Sequence, residues 1–400
     1  LKRAGLVLAV LVALPYAWGP VYRFPSPAAF AGSHFLNPYA GGRGVWQRAN
    51  LHAHGRAWGG LTNGQQPDEE VVRHYQDLGY TVAGVSDYER IAAHHGVPTI
   101  PVYEHGYNIG KAHQLAIGAR SVDWFDFILW QSTHHEQYVI DRLARTADLV
   151  ALAHPSLRDA YKLEDLQKLT GYHLMEVVNG PFAIDDVWDD ALSAGRVVWG
   201  LANDDTHDID DEERTGIAWT MIDAETPSTP DVVDALRAGR SYAVARTAGT
   251  RLPMDTRLAS VEVTDGRLVV SCDGEPSTFV FIGQNGNIRK TIAGATSADY
   301  RFAPDDSYIR TVIRSPRTTL YLNPVLRYDG IRAPAPLSAI DAAGSERAGT
   351  FMTSLAQKVI ATLSATNTTH EQREEKFHAL LNEAFDLEQI GKFYRDVLYA

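Results

Sequence analysis

Between residues 45 and 245, short β-rich apolar runs alternate with segments whose apolar positions recur at helical spacing. The runs are Val45–His52, Tyr80–Ser86, Thr99–Tyr103, Phe125–Trp130, Leu149–Ala153, His173–Val178 and Val197–Leu201. Helical patterns lie between several of them. One opens at Pro67-Asp68-Glu69-Glu70, with proline near the first turn and acids at the positive helix end, and closes at Gly79. Others are Glu136–Ala147, Leu163–Leu169, Asp185–Ala194 and Pro230–Ala238. This alternation predicts a mostly parallel α/β domain over 45–250. About seven strands fit a distorted TIM-like barrel better than an eight-fold one. An open doubly wound sheet is the alternative.

The pattern then changes. Residues 256–330 carry six short β-patterned runs, and Asp265-Gly266 and Gly283–Gly286 read as hairpin turns. A small antiparallel β-sandwich is expected there. A Pro/Ala-rich linker (331–347) leads to 348–400, where Phe351, Leu355, Val359 and Leu363 recur at four-residue spacing and predict a helical tail. At the other end, Lys2-Arg3 precede an uncharged, mostly apolar run to Tyr22. Residues 1–23 therefore read as a signal peptide or a membrane anchor. Residues 24–44, rich in Pro, Gly and aromatics, read as a linker. The expected location is the extracytoplasmic (periplasmic) face of a membrane, or secretion if the segment is cleaved.

Composition narrows the function classes. A net charge of −12 with no long Lys/Arg run argues against nucleic acid as a partner. The single cysteine, Cys272, excludes an internal disulfide and a thiolate zinc site.

The polar residues are more telling. His52 and His54, Asp87, Glu104, His154, Asn179, and Asp205 with His207 all sit at or just past the C-terminal ends of apolar runs, where barrel enzymes place catalytic groups. On a strand, His52 and His54 share one face because side chains alternate with period 2. If these strand ends converge, the available ligands are His52, His54, Glu104, His113, His154, Asp205 and His207. Imidazole plus carboxylate without thiolate suits Zn, Mn or Fe. Seven ligands exceed the need of one tetrahedral ion, so two ions sharing a carboxylate are expected. Glu104 is the obvious bridge. Two-metal sites of this kind drive hydrolysis.

The order of these motifs resembles the PHP (polymerase and histidinol phosphatase) domain. His52-Ala53-His54, Ser86-Asp87, Glu104, His113 to Gly118, Ala153-His154-Pro155, Glu176 to Asn179 and Asn203 to His207 follow its sequence over about residues 45–245. The resemblance implies a distorted (β/α)7 barrel and metal-dependent phosphoric ester hydrolysis. It would place His52, His54, Glu104 and Asp205 on one ion, and Glu104, His113 and His154 on the second. Glu104, Asp205 and His207 are the candidate catalytic residues.

Two departures stand out. The family often has an acid where this chain has Gly59-Gly60, and usually Thr-Asp-His where it has Ser86-Asp87-Tyr88. Both missing groups help hold a third ion in many members, so two ions are expected here. That leaves His207 to contact phosphate or act as general acid. More faintly, 351–398 resembles the start of the periplasmic toluene-tolerance/phospholipid-shuttle family.

Asp87, Arg90 and Asn179 are candidate contacts to a small phosphorylated substrate, and Arg56, Lys111 and Arg158 lie near the motifs. His134-His135 is an alternative ligand pair, and His94-His95 lies in a loop that could face substrate. The leading expectation is a membrane-tethered phosphoesterase. The same ligands also suit amide or ester hydrolysis, and a non-catalytic envelope binding protein is the third reading.

Overall fold

The computed structural model describes residues 15–16, 19–92, 99–247, 254–336, 372 and 376. Tyr22–Ile340 forms one compact unit, and Leu1–Val21 with Asp341–Ala400 forms another, in which only residues 15–16, 19–21, 372 and 376 are described.

Strand dominates over helix within Tyr22–Ile340, and the strands divide among several sheets. The expectation of a (β/α)7 TIM-like barrel is therefore overturned. The physical reason lies in pairing. Alternation along a chain does not say which strands become neighbours. Val102–His105, Gln114–Ile117 and Leu149–Leu152 pair antiparallel, and the first two are joined by a loop rather than the crossover helix a parallel pair demands. Parallel pairing persists around Leu174–Asn179, which lies between Leu149–Leu152 and Trp199–Asn203, and between Trp46–Asn50 and Val82–Ala83. Every residue of Leu174–Asn179 is buried, as expected when both faces are covered.

Trp46–Asn50 belongs to a different, ten-stranded sheet. It pairs antiparallel with Ala218–Asp223, which pairs with Ser241–Arg246, which in turn pairs with Thr318–Leu322. Part of the β-patterned region after residue 256 thus continues the sheet that holds Trp46–Asn50, while Thr256–Thr264, Arg267–Gly274 and Ser297–Arg301 form a separate three-stranded sheet. Its hairpins follow the expected chemistry. Asp265 and Gly266 both adopt positive φ (50° and 71°) between Thr256–Thr264 and Arg267–Gly274, the backbone a two-residue type I′ turn requires. His34–Leu36, inside the expected linker, pairs with Val325–Tyr328.

Phe125–Trp130 is not a strand. Asp126 accepts from the backbone of Tyr107 and Phe127 and from the side chains of Asn108 and Gln131, at 2.6–3.0 Å. A carboxylate that satisfies that many local donors stabilises a loop, not a ladder.

The five α-helices among the described residues, Asp68–Asp77, Thr133–Thr146, Leu163–Lys168, Asp186–Ser193 and Thr229–Arg237, fall close to the predicted segments. The helix Asp186–Ser193 is bolted to strand Tyr308–Arg314. Buried Arg310 donates to Asp189 at 2.5 and 2.9 Å and to Asp185 at 2.8 Å, and Tyr308 donates to Asp189 at 2.6 Å.

A membrane anchor is not supported: no helix among the described residues is long and apolar enough to cross a membrane. Most of residues 1–23 lie outside the described residues, as do the expected helical tail, apart from Gln372 and Lys376, and His94-His95.

Candidate metal centre

Two isolated parallel bridges stitch the sheet edges together, Ala53 to Thr206 and Tyr88 to Glu104. They bring four segments to one place: the end of Trp46–Asn50, the loop after Val82–Ala83, the strand Val102–His105 and the loop after Trp199–Asn203. The backbone fixes the register, since Asp205 donates its N–H to His52 O at 2.9 Å and His54 donates to Thr206 O at 2.8 Å. Buried Asn50 and Asn203 lock the same seam. Asn50 Oδ1 accepts from Asp204 N, and Asn203 Oδ1 accepts from Leu51 N. Asp204 accepts from three consecutive backbone N–H groups, Gly216 to Ala218, and from Tyr75. It holds the loop from which Asp205 points.

At this seam His52 Nε2, His54 Nε2, Glu104 Oε2 and Asp205 Oδ1 converge. Five of their six mutual distances are 3.4 (His52–Glu104), 3.1 (His52–Asp205), 3.1 (His54–Glu104), 3.3 (His54–Asp205) and 3.3 Å (His52–His54). A tetrahedron of metal bonds about 2.0–2.1 Å long has edges of about 3.3–3.4 Å. Both carboxylate oxygens are buried, and neither has a hydrogen-bond partner despite the nearby imidazoles. Their lone pairs are thus open to a metal ion. The other Glu104 oxygen, Oε1, faces His113 Nδ1 at 2.6 Å and His154 Nε2 at 3.0 Å. These groups could hold metal ions, and Glu104 belongs to both halves.

The electrostatics point the same way. Burial alone would depress the His52 and His54 pKa values. The carboxylates of Asp205, Glu176 and Glu104 outweigh it, raising His52 well above its ordinary value and His54 to about 9. Burial works against ionised Glu104 as well, yet the His113 and His52 imidazoles hold its carboxyl well below the usual range. The buried carboxylates have imidazoles as their close ion-pair partners, and a divalent cation could take the place of the imidazole protons that balance them.

Glu176, whose role the spacing did not disclose, orients this set. Its Oε1 accepts His52 Nδ1–H at 2.9 Å, which leaves Nε2 as the lone-pair nitrogen facing the centre. Asn203, Asn179 and the His154 backbone donate to the same carboxylate at 2.8–2.9 Å. Such an outer partner fixes ring orientation and ligand basicity. We expect Glu176→Ala to weaken metal affinity by about 10–100-fold. Competition with a chelator measures this, and an unchanged affinity would remove Glu176 from the site.

His113 sits where it does because Gly106 has no side chain. Gly106 takes φ +133°, and a Cβ there would collide with the His113 ring. His207 joins His54 and Asp205 in a further group that could hold an ion; its ring is 4.3 Å from that of His54, and its Nδ1–H donates to Asp205 O at 3.1 Å. Burial, with His54 beside it, pushes its pKa down to about 4, so it is neutral at pH 7.

The three expected substrate contacts are all committed within the protein. Asp87 accepts from Gly55 N at 2.8 Å and pairs with Arg90. Arg90 also donates to Asp68 at 2.6 Å. Asn179 donates to Glu176 and to Asp205 at 2.9 and 3.2 Å. Burial and nearby Asp68 raise Asp87 to about 6. His134 accepts from Tyr22 N and His135 stacks on Phe127 at 4.1 Å, so the alternative ligand pair is held away from the centre.

Tyr88, which stands where the resembling family has histidine, covers the cluster. Its ring stacks on His54 (4.7 Å) and meets His113 edge-on (5.7 Å). Burial and neighbouring Glu104 raise its phenol pKa, keeping it protonated. Of the nine non-glycine residues with positive φ among the described residues, seven lie in the segments around this centre: Trp58, Glu89, Lys111, His154, Arg158, Asp159 and Asp205. Such strain concentrates where function imposes geometry.

No protein-family model matches the chain, and no curated protein does. Among solved structures, it is similar to a two-domain protein from Bacteroides vulgatus containing a predicted PHP-like metal-dependent phosphoesterase, at 13% identity and a TM-score of 0.40, over 80% of this chain and 100% of that one.

Proposed function

We propose that the protein is a metal-dependent phosphoesterase that binds two divalent ions and hydrolyses a small phosphate ester. The observation that carries this is the tetrahedral convergence of His52, His54, Glu104 and Asp205, with Glu104 shared by His113 and His154. The order of the ligand motifs along the chain supports it. Ions bound there would supply Lewis-acid neutralisation of the phosphoryl oxygens and an acidified water.

The protein's own groups do the rest. Glu176 holds the His52 tautomer. Tyr88, protonated, sets its phenol beside Glu104. His207 is neutral, with Nε2 free of its backbone bond. It can accept a proton or, once protonated, donate one to a departing alkoxide.

A second reading is supported by one observation. Arg90, the cation nearest the Asp87 motif, is spent on Asp68 and Asp87, which leaves little fixed positive charge for a phosphate dianion. A metallohydrolase acting on an amide or carboxylic ester has no such need.

The two are separated by measuring metal content together with release of inorganic phosphate and of carboxylate from matched esters. About two equivalents of Zn, Mn or Fe with chelator-sensitive phosphate release is the expected result. Metal with carboxyl-ester or amide turnover alone would give the second reading preference, and protein that retains no metal would end both.

A further inference from the structure

We infer that Trp58 and Trp124 form a subsite for a flat aromatic group on the alcohol side of the substrate, an inference that rests on the phosphoesterase reading. Trp58 is tied to the centre through one residue. Its Nε1–H donates to Tyr88 O at 2.8 Å, and the Tyr88 ring stacks on His54. The two indoles meet at 5.6 Å and 67°, forming an open corner. Both remain exposed, at 44% and 58%, though each carries a large apolar face.

The corner is built, not incidental. Trp58 is held at φ 52°, a conformation bulky residues avoid, and Gly59 and Gly60 follow it in the same region. Tyr107 donates its hydroxyl to Trp124 O at 2.8 Å and so pins the loop that carries the second indole. Glycine occupies the segment where the resembling pattern has an acid, so what this chain presents beside the cluster is an apolar ring.

Charge completes the match. Lys111, also at positive φ (64°), places Nζ 5.8 Å from the Tyr88 ring centroid. A ligand with an aromatic ring on the indoles and an anionic phosphoryl group toward the cluster meets attraction at both ends. An aromatic ring against an exposed indole gains a ring–ring interaction beyond area burial, whereas an aliphatic group gains only the burial.

The test compares benzyl, cyclohexylmethyl and ethyl phosphate, whose alkoxide leaving groups differ little in basicity. Benzyl phosphate is expected to be preferred over ethyl phosphate by about tenfold in kcat/KM, through KM, with cyclohexylmethyl phosphate below it. Trp124→Ala is expected to bring the benzyl-to-ethyl ratio close to one, and Trp124→Phe to restore part of it. Trp130→Ala, at an exposed indole outside the corner, serves as the control. Equal turnover of benzyl and cyclohexylmethyl phosphate, or an unchanged ratio in Trp124→Ala, would overturn the inference while the phosphoesterase reading stands. If no phosphate ester is cleaved, that reading fails, and the subsite is still read by indole fluorescence. Benzylphosphonate must then shift the emission of the wild type and not of Trp124→Ala; no shift overturns the subsite.

Discussion

Glu104→Gln is expected to remove bound metal and hydrolysis together, lowering kcat by at least about a thousandfold. Glutamine has nearly the shape of glutamate, so packing at this fully buried position survives. What changes is charge and donor character. Oε2 is within 3.4 Å of His52 and His54, and Oε1 within 3.0 Å of His113 and His154. An amide supplies one neutral oxygen to one side and an N–H₂ group, which cannot ligate, to the other.

Stability is expected to fall as well. The imidazoles that hold the Glu104 carboxyl below its usual range show that the fold favours its charged form, so a neutral amide forfeits that contribution and leaves buried imidazoles without their partner. A lower melting temperature than wild type in the variant is the expected reading. Elemental analysis, phosphate release and thermal unfolding on one preparation decide the matter. Two retained metal equivalents, or a rate within about tenfold of wild type, would rule Glu104 out as the shared ligand.

The second large effect lies away from the centre. Asp189→Ala is expected to destabilise the protein by about 3–5 kcal/mol, because it strands the Arg310 guanidinium in the interior. Arg310 and Asp189 side chains are only 3% and 4% exposed, and Asp185 supplies one carboxylate contact at 2.8 Å and a long backbone contact at 3.4 Å. The loss corresponds to a fall in melting temperature of roughly 10 °C. The double variant Asp189→Leu with Arg310→Met should recover more than half of it, since replacing both partners with apolar groups leaves no stranded charge. A melting temperature within about 2 °C of wild type for Asp189→Ala would show that water reaches the guanidinium.

These two sites differ in how visible they were in the sequence. His52, His54, Glu104, His154 and Asp205 could be picked out because each lies at or just past the end of an apolar run, period-2 alternation put the first two on one face, and His113 followed from the order of the motifs. The helices and the Asp265-Gly266 turn were legible because their signals are local: acids and proline at a helix start, paired positive-φ residues at a hairpin.

Pairing was not legible. Nothing in Gln114–Ile117, four apolar-flanked residues beside His113, marks it as antiparallel to both neighbours. Nor does Ser241–Arg246 announce a partner some eighty residues on. Phe125–Trp130 misled because its aromatic density reads as strand, while the single Asp126 that folds it into a loop reads as noise. Glu176 lay inside a buried strand, and its contact with His52 exists only after folding. Arg310 and Asp189 are ordinary charges until the sheet and helix enclose them.

The sheet that draws strands from His34–Leu36 through to Val325–Tyr328 has a consequence for synthesis. A nascent chain that has emerged only as far as Arg246 already holds every member of the His/Glu/Asp cluster, yet Ser241–Arg246 still lacks the neighbour it takes from Thr318–Leu322, and His34–Leu36 lacks Val325–Tyr328. Its open edge is a template for the wrong partner. Loop closure across such sequence distances is slow. The ligands are therefore encoded early in the chain and secured late, and the interval between is when a ribosome-bound intermediate is most open to capture by chaperones or by another nascent chain.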